Sequence, residues 1–273
     1  MDIQLPKGKK LYFLSDAHLG FPDSESSLVR EKLLVRFLES IRHEAAHLFL
    51  VGDLFDFWFD YRFVVPKGFT RFLGKLAELS DDGLPISFFT GNHDMWVFDY
   101  LPQELGIPVY RDPISFTCRE RSFLIGHGDG LGPGDYGYKL LRAVFRNRLC
   151  QWLFGALHPT IGMGLGTGWS VSAKHRKMNK GVVFEGEKEL IWQYCQTYHQ
   201  LQPTDFYIFG HRHIPMDLPV GQTGRHVNIG DWITYFTYAV FDGYELSLMQ
   251  LDPLTFQSAP CGVAERNQTK DVR

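Results

Sequence analysis

The sequence predicts an α/β protein whose core is built from alternating strands and helices. Three observations indicate this class: short apolar runs recur along the chain, leucine and phenylalanine follow the first runs at helical spacing, and five runs end in polar residues. With 273 residues and 44% hydrophobic content, the chain can bury a large core.

The predicted elements follow in a regular order. Residues 10–16 form an apolar run that precedes a helix over 24–42, and residues 47–53 precede a helix over 69–79. Three further apolar runs end in polar residues, at 85–94, 122–130 and 206–213. Near the C-terminus the pattern changes to hairpin-like strands that would complete the sheets, at 226–232, 237–243 and 244–251.

One region interrupts the alternation. Residues 135–185 contain a basic segment, a stretch typical of one amphipathic, aromatic-rich helix, and the glycine-rich run 161–169. We expect a helical insertion that covers the strand ends as a lid, within a single domain over 1–262. The remaining residues, 263–273, are polar and are predicted to form a tail.

Charge is distributed unevenly along the chain. The net charge is −3, but between residues 138 and 180 there are eight lysines and arginines and no acidic residue. Such an asymmetry favours a surface for an anionic partner.

Cysteine usage and the N-terminal residues favour a cytoplasmic protein. The four cysteines are scattered without a CxxC pair, which is typical of reduced thiols and argues against a disulfide framework or a zinc–cysteine site. No apolar run approaches the roughly 20 residues of a membrane span. The N-terminus lacks the basic-then-apolar order of a signal peptide.

The polar residues after the five strands are the main functional signal. A single aspartate or histidine at a strand end is usually a cap or a surface residue, and we give that interpretation to the isolated His43, His47, His158, His199 and His226. Five strand ends with such residues indicate a shared site, because open α/β sheets bring these ends together and polar groups buried there need partners. The residues concerned are Asp16, His18, Asp53, Asn92, His93, His127, His211 and His213.

Their chemistry suits a pair of divalent metal ions. Carboxylate, imidazole and amide together match Mn²⁺, Fe or Zn²⁺ better than all-oxygen Mg²⁺ or all-sulfur zinc. Two ions about 3.5–4 Å apart need a bridging carboxylate and can together activate water and neutralise charge around phosphorus. The pattern therefore predicts hydrolysis of phosphate esters or anhydrides.

The order of the motifs resembles the calcineurin-like metallophosphoesterases. The blocks are DAH (16–18), GDLFDFW (52–58), GNHD (91–94), GHGD (126–129) and GHRH (210–213). The resemblance covers about residues 11–231 and implies the four-layer sandwich of that superfamily, in which two mixed β-sheets are flanked by helices.

The resemblance also implies a role for each residue. One metal would be held by Asp16, His18, Asp53 and His213. Asp53 would bridge to a second metal, held also by Asn92, His127 and His211. His93, like Asp53 a predicted catalytic residue, would protonate the leaving oxygen or stabilise the transition state, with Asp16 or a nearby carboxylate as its partner. The alternative is that His93 has only a structural role.

Three further stretches are similar to the UDP-2,3-diacylglucosamine diphosphatases of lipid A biosynthesis: GDLFDFWFDY (52–61), HGDGLGPGDYGYKLLR (127–142) and NIGDW (228–232). That resemblance implies hydrolysis of a UDP-linked lipid to UMP and a diacylglucosamine 1-phosphate, and it implies a helical insertion. The chain departs from the best-known members at His93, where they have arginine.

The insertion carries the predicted lipid contacts. Apolar residues from Tyr138 to Leu157 alternate with Lys139, Arg142 and Arg146, as in helices that lie on an anionic membrane or cap a groove for acyl chains. The alternative is that this apolar face packs on the protein's own core. The family pattern implies substrate contacts at Asn92, His93, Asp135, Tyr138, Arg142, Ser172, Lys177 and His211.

Other functions remain open at this point. A soluble metallophosphoesterase, either a phosphodiesterase or a Ser/Thr-type phosphatase, would use the same site on a non-lipid substrate. A non-catalytic scaffold is disfavoured because all metal positions are filled, and a nucleic-acid partner because the chain is acidic overall. The expected partners are a UDP-linked diacylglucosamine lipid and the inner face of the cytoplasmic membrane, with peripheral association.

Overall fold

The computed structural model describes residues 1–178 and 183–262, and for 171–178 it describes the backbone alone. The predicted tail, 263–273, lies outside the described residues. Twelve strands are described: β1 (Lys10–Leu14), β2 (Ala45–Val51), β3 (Ile86–Phe89), β4 (Val109–Tyr110), β5 (Ile114–Cys118), β6 (Arg121–Gly126), β7 (Phe206–Phe209), β8 (Pro215–Val220), β9 (Gly224–Ile229), β10 (Thr237–Phe241), β11 (Leu246–Leu251) and β12 (Ser258–Pro260).

The described helices divide between the core and the insertion. The core helices are α1 (Ser24–Ile41), α2 (Thr70–Asp81) and α3 (Tyr100–Leu105), and those of the insertion are α4 (Tyr136–Arg146), α5 (Arg148–Gly155) and α6 (Pro159–Met178). The helix α7 (Leu190–Leu201) leads back to the sheet. At the start of α1, Asp23 accepts a hydrogen bond from the Ser26 N–H at 2.8 Å and so caps the helix.

The strands form two mixed sheets. One has seven strands in the order β12-β11-β10-β1-β2-β3-β4, and the other has five in the order β5-β6-β7-β9-β8. The pairs β1–β2, β2–β3, β6–β7 and β7–β9 are parallel. Parallel neighbours end at the same edge of a sheet, so the loops after these strands lie together.

The apolar character of the strands follows from burial on both faces. Between the sheets, the Phe13 and Phe49 rings stack with centroids 4.9 Å apart, and Phe49 stacks on Phe116 of the second sheet at 5.2 Å. The outer face of the first sheet packs on α1 and α2, and that of the second sheet packs on α7. These four layers confirm the predicted fold class.

The insertion differs from its prediction in one respect. The prediction of a single amphipathic helix across the apolar residues of the insertion is wrong. The chain leaves helical geometry at Asn147, where ψ is 125°, and the region forms two helices, α4 and α5. The Asn147 side chain accepts hydrogen bonds from the Leu149 and Cys150 N–H groups and begins α5. The glycine-rich run lies within α6. Each helix in the described part of the chain is too short or too polar to span a bilayer.

Candidate metal centre and active site

The polar residues singled out in the sequence converge beyond the carboxyl ends of five strands. They lie in the loops that follow β1, β2, β3, β6 and β7. Five of them have the left-handed backbone conformation that non-glycine residues rarely adopt, with φ of 53° at Asp16, 43° at His18, 54° at Asp53, 71° at His211 and 58° at His213. Strain of this kind concentrates at functional sites, where the surrounding fold holds it in place.

Glycines in three of the motifs let these loops approach closely. A Cβ on Gly91 would clash with the Asp53 carboxylate, one on Gly52 with the His127 ring, and one on Gly210 with the Ser15 and Asp16 side chains. Each motif therefore needs glycine in front of its polar residue so that a side chain from the loop of another strand can lie against the main chain.

A first group of potential ligands consists of Asp16, His18 and His213. The two Nε2 atoms of His18 and His213 are 3.2 Å apart, and Asp16 Oδ1 lies 3.4 Å from His213 Nε2 and 3.7 Å from His18 Nε2. One carboxylate and two imidazole atoms within this distance of one another can hold a single cation.

A second group consists of Asp53, His127 and His211, whose ligand atoms lie within 4.8 Å of one another. Asp53 Oδ2 is 3.3 Å from His127 Nε2. Asn92 adjoins this group, because its Oδ1 atom is 2.9 Å from His211 Nδ1. The amide oxygen therefore lies where it can complete the second donor set.

Asp53 lies between the two groups. Its Oδ2 atom is 3.6 Å from His18 Nε2 in the first group and 3.3 Å from His127 Nε2 in the second. Its other oxygen accepts a hydrogen bond from the His93 main-chain N–H at 2.8 Å. One carboxylate oxygen within reach of both groups is the geometry that a bridging ligand requires.

The electrostatics of the centre favour ionised carboxylates beside basic imidazoles. Burial alone would raise the pKa of Asp53, but the charges of His127, His93 and His18 outweigh burial and hold this pKa well below its usual value. In turn, burial lowers the pKa of His127, yet the Asp53 carboxylate raises it well above its ordinary value. Asp94, beneath the centre, has its pKa raised to about 7 by burial and by the charge of Asp53.

Two buried atoms at the centre lack the partner that a bound cation would supply. Asp16 Oδ1 and His127 Nε2 are buried and have no hydrogen-bond partner within the described part of the chain. Buried polar atoms left unsatisfied are destabilising, and a divalent cation would satisfy both. The donor set of carboxylate, imidazole and amide suits such a cation, so the residues fit the metals that the sequence predicts.

A further layer of groups orients the histidines. His127 Nδ1 lies 3.0 Å from the Val51 carbonyl, which fixes Nδ1 as the donor and leaves Nε2 as the ligand atom. His213 Nδ1 lies 3.4 Å from Asp231 Oδ2 within hydrogen-bond geometry, whereas His18 Nδ1 lies 3.3 Å from Asp56 Oδ1 as an ionic contact without a hydrogen bond. Sequence reasoning did not single out Asp56 or Asp231, although both lie inside quoted motifs, GDLFD and NIGDW.

His93 lies against the first group. Its ring centroid is 4.7 Å from that of His18, and its Nδ1 atom is 2.9 Å from the Asp56 carbonyl oxygen. The Asp56 carboxylate lies 3.9 Å from the same nitrogen. The carboxylate that lies beside His93 is therefore that of Asp56.

The predicted substrate contacts other than Asn92, His93 and His211 of the centre divide into three sets. Tyr138 and Arg142 lie beside the centre, where both contact Asp129: the Tyr138 hydroxyl donates to Oδ2 at 2.7 Å and Arg142 Nε lies 3.0 Å from the same oxygen. Asp135 is exposed at the start of α4. The side chains of Ser172 and Lys177 lie outside the described residues.

The insertion packs one face on the core and exposes another. Phe145 and Phe154 contact Trp96, with ring centroids 5.2 and 4.6 Å away. Other apolar side chains of the insertion are exposed, among them Leu140, Val144, Leu149, Trp152, Leu153, Leu157, Ile161, Leu165 and Trp169. We call these nine residues the outer apolar face. Packing on the protein's own core therefore accounts for only part of the apolar surface.

Comparison with known proteins defines the class. Residues 9–215 match the calcineurin-like phosphoesterase family, and the chain belongs to that family. It is a metal-dependent hydrolase, as the motif order predicts.

Relatives that align along most of the chain indicate a narrower group within this family. The chain is 40% identical over 262 residues to the UDP-2,3-diacylglucosamine hydrolase of Porphyromonas gingivalis, and the alignment covers 90% of this chain and 98% of the relative. The identically named protein of Edwardsiella ictaluri is 27% identical, covering 88% and 91%, and that of Aeromonas salmonicida is 28% identical, covering 81% and 85%. The predicted similarity to this group is confirmed.

Proposed function

We propose that the chain hydrolyses the pyrophosphate bond of UDP-2,3-diacylglucosamine to UMP and 2,3-diacylglucosamine 1-phosphate, as a step of lipid A biosynthesis. The observation that carries the proposal is the 40% identity to a hydrolase of that substrate, which extends over 98% of the relative. The alignment covers 90% of this chain, so the similarity is not confined to the metal motifs.

We further propose that two divalent cations occupy the centre, with Mn²⁺ most consistent with the donor set and Fe or Zn²⁺ as alternatives. Asp16, His18 and His213 would hold one ion, and Asn92, His127 and His211 the other, with Asp53 shared by both. When bound, the ions supply positive charge that activates a water and neutralises the phosphoryl oxygens. The buried Asp16 Oδ1 and His127 Nε2 atoms support this assignment.

Residues of the chain then orient the substrate and hold protons. Asp56 holds His93 through its carbonyl oxygen, which keeps a proton on Nδ1 and fixes the plane of the ring. In this position His93 stabilises charge on the phosphoryl group or on the leaving sugar-phosphate oxygen. Asn92 and His211 adjoin the same space and are the proposed contacts to the diphosphate.

The insertion is proposed to hold the rest of the lipid. Tyr138 and Arg142, fixed by Asp129, lie beside the centre and would contact the substrate headgroup, with Asp135, Ser172 and Lys177 as the remaining proposed contacts. The outer apolar face and the eight basic residues of 138–180 support contact with acyl chains and with an anionic membrane. We accordingly propose that the protein binds peripherally to the inner face of the cytoplasmic membrane. We also propose that residues 1–262 form one domain, with the insertion at 135–185.

The test is hydrolysis of UDP-2,3-diacylglucosamine after chelation and again after Mn²⁺ is added back, in water enriched in ¹⁸O. The expected result is Mn²⁺-dependent release of UMP and the lipid 1-phosphate, with ¹⁸O in UMP if water attacks the uridine-side phosphorus. A protein loaded with metal that leaves this substrate intact would contradict the proposal.

A second candidate function, hydrolysis of a non-lipid phosphate ester, is supported by one observation. His93 stands in GNHD, the motif of generic phosphoesterases, where the best-known enzymes for the lipid have arginine. This residue is compatible with a metallophosphoesterase acting on a non-lipid monoester or diester. Release of inorganic phosphate from monoesters at a higher kcat/KM than lipid turnover would favour it.

A further inference from the structure

One face of α6 is built from small residues at intervals of four. Gly162, Gly166 and Ser170 follow one another along this face, and the chain segment 56–61 lies against it. A Cβ on Gly162 would clash with the Tyr61 hydroxyl, and one on Gly166 would clash with the Phe57 ring. Without these side chains the helix can approach the segment that follows β2.

The close approach brings Ser170 into the active site. Its side chain is only 3% exposed, and its Oγ atom lies 2.7 Å from Asp56 Oδ2 and 3.0 Å from His93 Nδ1. Asp56 and His93 both belong to the core motifs, while Ser170 belongs to the insertion. This is a direct polar link between the lid and the catalytic loops.

The direction of these hydrogen bonds follows from their partners. The Asp56 carbonyl oxygen can only accept, so His93 Nδ1, 2.9 Å away, carries a proton. The Asp56 carboxylate accepts from the Ser170 hydroxyl, whose oxygen is then available to accept from the same Nδ1–H group. Ser170 therefore connects the Asp56 carboxylate to the His93 ring, whose own distance from that carboxylate is 3.9 Å.

We propose that Ser170 is a positioning residue that couples the seating of α6 to the orientation of His93, so that the lid helix completes the active site. The proposal rests on the proposed role of His93 in hydrolysis. When α6 is seated, two oxygen atoms of the described residues, the Asp56 carbonyl and Ser170 Oγ, lie within hydrogen-bond distance of Nδ1. When α6 is displaced, the Ser170 contact is lost, and with it the link that Ser170 makes to the Asp56 carboxylate. Binding of substrate against the lid is thereby linked to the geometry of the reacting groups.

Ser170→Ala removes the hydroxyl and keeps the helix. The expected result is a kcat lowered by roughly tenfold, the usual effect of one hydrogen bond, with KM changed less than about twofold. The matched control is Thr167→Ala on the same helix, because the Thr167 hydroxyl is exposed and bonds to the Met163 carbonyl of its own helix. The control should retain the kcat of the unmodified protein.

Two measurements separate positioning of His93 from general support of the fold. Ser170→Ala should shift the His93 Nδ1–H resonance in the NMR spectrum of the zinc-loaded, histidine-labelled full chain, with the resonance assigned from His93→Gln. In the His93→Gln background, Ser170→Ala should lower kcat by less than about twofold. An equal loss of kcat in both backgrounds, an unmoved resonance, or full activity of Ser170→Ala would each overturn the proposal.

The same variants are assayed on the UDP-linked lipid and on a chromogenic phosphodiester. If the unmodified protein cleaves the diester and leaves the lipid intact, the proposed lipid substrate fails, while the role of Ser170 is still decided by the diester kcat and the resonance. If the lipid is cleaved and Ser170→Ala behaves like Thr167→Ala, the proposed function stands and the role of Ser170 fails.

Discussion

Arg212 and Glu189 form a two-point ion pair at the metal centre. Arg212 Nε lies 2.7 Å from Glu189 Oε2, and its terminal nitrogen lies 2.9 Å from Oε1. Arg212 stands between His211 and His213, and Glu189 immediately precedes α7, where the chain returns from the insertion. The pair therefore fastens the loop of both histidines to the segment that leaves the insertion.

We expect Glu189→Gln to destabilise the protein and weaken metal binding. The Glu189 carboxylate is 2% exposed and the Arg212 side chain 26%, so removing the negative charge leaves a half-buried guanidinium without its counter-charge. Because Arg212 keeps contact with water, the decrease in the free energy of unfolding should be at or below the low end of the ~3–5 kcal/mol seen when one partner of a fully buried pair is removed. Thermal unfolding and metal titration measure the two effects.

The control for this variant is Glu187→Gln, which changes an exposed carboxylate two residues away. It should leave the melting temperature and the metal affinity unchanged. If both variants behave alike, the ion pair does not hold the loop.

A larger side chain at Gly166 should displace α6 from the core. The Phe57 ring occupies the space that a Cβ would need, and neighbouring Trp96 and Phe154 restrict its movement. Gly166→Ala is therefore expected to lower kcat and the melting temperature even though alanine favours helices by about 1 kcal/mol over glycine. Gly164 of the same helix has open space at its Cβ position, so Gly164→Ala should be neutral or stabilising. Equal melting temperatures and rates for the two variants would refute this packing.

The outer apolar face should matter for the lipid and not for a small substrate. Leu149 is 62% exposed on α5, so Leu149→Gln removes apolar contact area without disturbing the core. We expect a several-fold higher KM for the UDP-linked lipid, weaker binding to anionic vesicles, and an unchanged rate on a chromogenic phosphodiester. Leu254→Gln, which alters another exposed leucine outside the insertion, is the control. An equal loss on both substrates would argue against acyl or membrane contact.

His226 should make stability depend on pH. It is fully buried, and burial lowers its pKa from 6.5 to about 4. Between pH 4 and 6.5 the unfolded chain binds a proton at His226 that the folded chain does not. The free energy of unfolding therefore rises with pH through this window, and the contribution of His226 is lost as pH falls toward 4. In His226→Leu the slope of the free energy of unfolding between pH 4.5 and 6.5 should be smaller by up to about 1.4 kcal/mol per pH unit. Urea titrations with chelator present measure the slope, and an unchanged slope would contradict a neutral buried His226.

Most of the centre could be predicted from sequence because its residues directly follow apolar runs. Asp16 and Asp53 end the runs of β1 and β2, and parallel pairing of those strands brings the residues together. The edge strands could not be predicted in this way. β4 has two residues, too few to show a period, and β8 contains Pro215 and Pro219, which a strand tolerates at the sheet edge where β8 lies.

The remaining features depend on tertiary contacts. Glycine disfavours helices, so the run 161–169 gives little helical signal, and its packing against Phe57 and Tyr61 becomes visible only in three dimensions. Ser170 and Asp56 are 114 residues apart in sequence and contact each other through this packing. No local pattern indicates such a pair.

Counting bound metal per chain tests the central claim most directly. After chelation, reloading with Mn²⁺ and removal of excess ion, elemental analysis of the unmodified protein should give two ions per chain. Asp53→Ala should lose both, because one Asp53 oxygen lies within reach of both ligand groups. Asp81→Ala, an exposed carboxylate at the end of α2, should keep two. Undiminished occupancy in Asp53→Ala, or fewer than two ions in the unmodified protein, would contradict a shared two-metal centre.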